Sequence, residues 1–250
     1  YIFLIFWSAG LFFCFSGYAV AFSGQGGKEP GQVELLVGLR SLDLQIGSWP
    51  GDVLRVKRIP GSAIYRIWVT GEEVDAACAQ LRELSEVEYV ERADTLYVPE
   101  DFGVEVLDIL PAEQSTVEVY NWLEAIQFSD LAALGSGEGV VVAVVDTGLD
   151  LENAGMTSWV WSNPSEEPGN GVDDDGNGYI DDVMGWDFGE QNNGVQDSHG
   201  HGTMVSSIIH LLAPDAGLMP LKINQDRDSF FSTGDVVEAL YYALQAEADV

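Results

Sequence analysis

The chain has 250 residues, 46% of them hydrophobic and 11% aromatic, enough to bury a core in one large domain or two small ones. Its 41 acidic residues against 10 Lys and Arg give a formal net charge of −31. That excludes unaided binding to nucleic acid or anionic lipid, where the electrostatic term would be repulsive, while the apolar content argues against disorder throughout.

Tyr1 to Phe22 is uncharged and dense in Phe, Ile and Leu, with Ala19-Val20-Ala21 ahead of a polar run. This reads as a signal-peptide-like segment with an A-x-A cleavage site and a secreted product. A retained membrane anchor is the second reading. Cys14 and Cys78 are the only cysteines, which excludes a disulfide-built scaffold. Residues 23–32 form a Gly-rich linker.

Residues 33–98 have a pattern of their own. Val33–Leu39 and Ser62–Thr70 are strand-like, and Val87–Glu91 alternates. Between them Thr70 and Glu73 are spaced as a capping box, and Val74, Ala77, Cys78, Leu81 and Leu84 fall on one helical face. The expectation is a small α+β domain whose sheet has one covered face. Residues 99–127 read as an acidic connector.

From 128 onward the character changes. Val140–Val145 is a β-branched run typical of a strand buried on both faces of a parallel sheet. Thr157 to Asp197 is a long loop rich in Gly, Asn and Asp, a length that usually carries function or a ligand. Helices are expected over Thr203–Leu212 and Asp235–Ala246. A strand follows over Gly217–Ile223, weakened by Pro220, and another opens at Ala248-Asp249-Val250. Alternating strands and helices predict an α/β fold, a parallel sheet flanked by helices.

Asp146 closes the β-branched run and is followed by Thr147-Gly148. Carboxyl ends of strands are where open α/β sheets place their sites. Alone, Asp-Thr-Gly fits half of an aspartic protease dyad, an Asp that orients a catalytic His, or a turn cap. The run Asp197-Ser-His199-Gly-His201-Gly-Thr203 favours the second, because an imidazole in the first turn of a helix is held at an accessible edge. His199-x-His201 as a metal pair lacks a third ligand at a recognisable spacing.

Val141–Asp150 and Ser198–Val205 resemble the Asp and His signatures of the subtilisin-like serine proteases, the subtilases. Asn170–Phe188 resembles an acidic segment between those signatures, and residues 33–98 more loosely resemble the family's inhibitory propeptide. The resemblance implies a secreted endopeptidase acting on protein or peptide substrates. In it Asp146 stabilises the imidazolium, and His201, directly before Gly-Thr, is general base and then acid. The front domain would be an intramolecular inhibitor, with no stable membrane association once the leader is removed. Met204 stands where many members have a second His. Neither a Gly-Thr-Ser-x-Ala-x-Pro nucleophile motif nor the oxyanion Asn is present, so both are expected after Val250 and the polypeptide as written should be inactive. Asp173, Asp175, Asn177 and Asp181 alternate around Gly178, with the Tyr179 carbonyl available, a hard-oxygen set that suits Ca²⁺. Met184 at the twelfth position excludes an EF-hand, leaving Asp182 or Asp187 to complete the site. The rival reading is a non-catalytic, acidic, Ca²⁺-binding extracellular module on a protease-like scaffold.

Overall fold

In β1 (Gln32–Leu39), Leu35, Val37 and Leu39 point to one side and are buried. They meet Ile67 and Val69 of β3 (Ile64–Thr70), Val87 and Val90 of β4 (Val87–Arg92), and Val74, Ala77, Cys78 and Leu81 of α1 (Val74–Arg82). With the charged edge strand β2 (Val53–Arg58) they make an antiparallel sheet ordered β2-β3-β1-β4. The computed structural model describes residues 31–50, 53–97, 135–153, 155–225 and 230–250. The leader-like segment 1–22, most of the 23–32 linker and the 99–127 connector lie outside the described residues.

Two details of this half differ from the sequence reading. The Thr70–Glu73 capping box does not form: Thr70 is the last residue of β3 and pairs with Gln32, while Glu73 is itself the N-cap and has no side-chain cap bond. The ladder claims Thr70 before the helix can use it. The sheet is also covered on both faces rather than one. Glu34 and Arg66, on the face opposite α1, are buried at 1% and 4% exposure.

The second half is built around three parallel strands ordered β6-β8-β7: β6 (Val141–Asp146), β7 (Trp186–Asp187) and β8 (Gly217–Lys222). Alternation divides β6 between two cores. Val142 and Val144 pack with Leu218, Ala216 and Ile209 of α2 (His201–Leu212). Val141, Ala143 and Val145 pack toward Met219, Leu221 and Ala239, Tyr242 and Ala243 of α3 (Thr233–Gln245). The result is an α/β architecture with helices on both sides of a parallel sheet. Asp249 N–H donates to the Val141 carbonyl, and Ala143 N–H to that of Val250, so the last residues run along the free edge of β6.

Pro220 sits inside β8 without breaking it. Gly217 donates to Val140, just before β6, and Ile223 to Asp146 at its end, so alternation turns the Pro220 nitrogen away from that partner, toward the side where β7 is only two residues long. Gly185, just before β7, is required there: at φ 119° an added Cβ would lie 2.1 Å from the Pro220 carbonyl oxygen. The two halves of the chain meet in a small antiparallel sheet in which β5 (Thr95–Tyr97) pairs with β9 (Phe230–Ser232).

Candidate active site

Asp146 is the last residue of β6, and His201 the first of α2. The strand exit and the helix start are held together tightly. Thr147 Oγ accepts the Gly202 N–H at 2.8 Å, and a Cβ on Gly202 would lie 2.3 Å from the Gly148 carbonyl oxygen. Gly148, at φ 106°, in turn leaves no room for a Cβ against the Val195 carbonyl. Glycine at 148 and 202 therefore allows two backbones to touch where a side chain would force them apart.

This close approach brings His201 Nδ1 to 2.8 and 2.9 Å from the two Asp146 carboxylate oxygens. The carboxylate also accepts the Thr147 N–H at 2.7 Å, which fixes its plane. Both side chains are about 15% exposed, at the carboxyl edge of the sheet. The hydrogen bond that His201 donates to Asp146 raises the His201 pKa above the ordinary imidazole value, against the opposing effect of burial. With Nδ1–H engaged, Nε2 is the nitrogen able to exchange a proton, the arrangement a general base requires.

Asp197 holds the start of α2. Its Oδ1 accepts the His199 and Gly200 N–H groups, and Oδ2 accepts the Thr203 N–H and hydroxyl, the last at 2.6 Å. Burial disfavours its charge, but the bonds from Thr203, Gly200 and His199 prevail and keep the carboxyl below the usual range. Thr203 Oγ also accepts the Asp150 N–H, so one hydroxyl ties the turn after β6 to α2. Sequence reasoning quoted Asp197 without a role; its position two residues before His199 was the available signal. His199 is exposed.

In the acidic loop, Asp173 and Asp175 come together with Glu166, their carboxylate oxygens within 4.8 Å of one another. Glu166 is buried and was not singled out from sequence. Its Oε1 accepts the Asp174 N–H at 2.8 Å and Oε2 the Asp181 N–H at 3.1 Å. Asn177 Nδ2 donates to Asp175 and Asp182, placing it beside the trio. Asp181 turns to the Asn170 and Gly171 N–H groups instead. The Tyr179 ring is buried against Trp186, Phe188 and Tyr242, with its hydroxyl on Glu238. Asp182 accepts the Tyr242 hydroxyl and Asn163, and Asp187 pairs with Lys222 at 3.3 Å. Three hard carboxylates converging at this spacing fit an oxygen-coordinated divalent cation such as Ca²⁺.

Residues 137–250 match the subtilase family model. The subtilisin-like protease 1 of Plasmodium berghei is 33% identical over 132 residues, 48% of this chain and 22% of that protein. The protein of the same name in Plasmodium falciparum is 28% identical over 117 residues, 43% of this chain and 17% of its own length. The matched part thus spans about a fifth of these curated relatives. Among solved structures, fervidolysin of Fervidobacterium pennivorans, a keratinolytic enzyme related to subtilisin, superposes with a TM-score of 0.52 at 18% identity. The superposition covers 89% of this chain and 36% of fervidolysin. In sequence from residue 137, and in fold, this chain resembles the subtilisin-like serine protease family.

Proposed function

We propose that the chain is the front portion of a secreted, calcium-stabilised subtilisin-like serine endopeptidase precursor, with Asp146 and His201 two members of an Asp-His-Ser mechanism. The observation that carries this reading is His201 Nδ1 held by both oxygens of a strand-end carboxylate at 2.8 and 2.9 Å. In this mechanism His201 Nε2 takes the proton from a serine hydroxyl supplied outside residues 1–250 as the oxygen attacks a peptide carbonyl. It then passes that proton to the leaving amine, and water hydrolyses the acyl-enzyme by the same base. Asp146 stays ionised, fixes the tautomer and stabilises the imidazolium. Substrates are unstructured proteins or peptides.

Residues 33–98 act as the propeptide, a role supported by the pairing of β5 with β9 and by burial of the sheet's second face against α3. Glu166, Asp173 and Asp175, with Asn177 alongside, hold a structural Ca²⁺ that ties down the long loop. Secretion is supported by the uncharged stretch 1–22; among the described residues no helix is long and apolar enough to cross a membrane.

The test is labelling by a serine-directed phosphonate in the protein extended beyond Val250. Covalent labelling is expected in the wild type and at least a thousandfold slower in His201→Ala. Equal labelling of the variant, or none in the extended protein, overturns the reading and leaves a Ca²⁺-binding scaffold.

A further inference from the structure

The contact between the front sheet and α3 is built on buried charge. Arg66, in the middle of β3, has a side chain only 5% exposed. Its Nε donates to Glu34 of β1 at 2.6 Å, Nη2 to Asp235 at 2.7 Å and Nη1 to Glu238 at 2.8 Å, the last two on α3. Lys57 of β2 bonds Glu238 and Gln191. Ser232 Oγ donates to Glu34 at 2.8 Å, and Tyr179 hydroxyl to Glu238 at 3.2 Å. The fit leaves no slack: a Cβ on Gly234 would lie 2.2 Å from Glu34 Oε1 and 2.8 Å from Arg66 Nε.

The charges do not balance. Three carboxylates meet two cations, and Lys57 is partly open to solvent, its pKa lowered by burial despite Glu238. The carboxylates are also unequally served. Glu238 has Arg66, Lys57 and Tyr179, and Glu34 has Arg66 and the Ser232 hydroxyl. Asp235 has one arm of Arg66 and the Ser232 N–H. Only the Arg66 bond to Asp235 crosses the contact, because Ser232 caps the same helix, so docking buries this carboxylate in a cluster with one negative charge in excess.

We propose that Arg66 is the recognition residue by which the front sheet engages α3, and that Asp235 makes this docking proton-linked, so that the contact tightens as pH falls and loosens as it rises. Docked, burial pushes the Asp235 carboxyl up to about 6, with Glu34 adding to the rise and Arg66 and the Ser232 N–H opposing it. Undocked, Asp235 sits in the exposed first turn of a helix, where a carboxylate keeps a pKa of ~3.9 or below. The docked state therefore binds the proton more strongly, and docking gains through the window between these values as pH falls. From pH 7 to pH 5 the gain is about tenfold in the docking constant. The charged neighbours in this direction are Glu34 on β1, Lys57 on β2, Arg66 on β3 and Glu238 on α3, with Asp94 beside Thr233 at the helix start. If residues 33–98 are the inhibitor read above, their release is favoured by alkaline conditions.

Hydrogen exchange on the 250-residue chain measures docking without reference to catalysis. After correction for the intrinsic rate, amides of β5 and β9 should be about tenfold more protected at pH 5 than at pH 7, with α1 amides as the reference for an intact front domain. Asp235→Asn should remove the pH dependence while keeping α1 protected, since the amide oxygen can still accept the Ser232 N–H. Arg66→Met should strip protection from β5 and β9 at both pH values. A pH dependence that survives Asp235→Asn, or protection that falls on acidification, overturns the proposal. If the Asn variant does not fold, a flat or inverted wild-type ratio does so alone. Failed phosphonate labelling would leave this result standing, and the reverse also holds.

Discussion

His201 meets a single carboxylate through both its oxygens, and the energetics of that pair can be measured before any turnover is assayed. The Asp146 hydrogen bond favours the imidazolium, so the folded-state pKa lies above the ordinary value. A raised pKa stabilises the fold fully below the unfolded value, and this contribution is lost as pH rises through the folded one. Replacing Asp146 by Asn keeps the shape but removes the charge and permits the wrong tautomer. NMR titration of the chain should show the His201 pKa falling in Asp146→Asn. In the extended protein, kcat should fall by roughly four orders of magnitude. An unchanged His201 titration would mean that the two side chains are neighbours without being coupled.

At the scale of elements, α1 and α3 start differently. In α3, Ser232 accepts the Gly234 N–H while Asp235 accepts the Ser232 N–H, a reciprocal cap, and the Ser232 hydroxyl also reaches Glu34. Ser232→Ala should therefore cost more than a surface cap. About 1 kcal/mol goes with the capping bond and a further 1–2 with the lost hydrogen bond to the buried Glu34 carboxylate. Urea unfolding would measure this loss, and Glu73→Ala at the side-chain-free cap of α1 should stay within about 0.5 kcal/mol of wild type. Equal effects would show that the Ser232 network adds nothing. These cases mark what the sequence could reveal. Periodicity exposed α1, α2, α3, β1 and β6, because each buries a regular stripe against its own neighbours. Asp146 and His201 were legible because short motifs carry their chemistry. Thr70 could not be assigned without knowing that Gln32 pairs with it. Strands β2, β7 and β9 are short or charged and owe their existence to partners. The burial of Glu34 and Arg66 was not legible, since it depends on Ser232, Asp235 and Glu238, about 170 to 200 positions away. Glu166 was missed for the same reason: a loop with no period of its own folds it back onto Asp173.

For the whole molecule, the unbalanced charge of −31 acts in two separable ways. No Lys or Arg occurs between Arg92 and Lys222, so much of the second half carries diffuse repulsion that any salt would screen. Within that field Glu166, Asp173 and Asp175 concentrate three carboxylates in one place, with Glu166 buried and its oxygens already accepting loop amides. Screening and coordination make different predictions at equal ionic strength. If screening alone acts, NaCl and CaCl₂ raise the Tm equally. If the trio coordinates Ca²⁺, calcium in hundredfold excess over its Kd adds about 2.7 kcal/mol beyond NaCl, a rise of several degrees that chelator reverses. The calcium-specific increment should disappear in Glu166→Gln and Asp173→Asn, while the NaCl response stays. Asp181→Asn should retain most of it, because that side chain holds the backbone at 170 and 171 rather than facing the trio. A calorimetric scan in which both salts superimpose would reduce the acidic loop to a solvated surface.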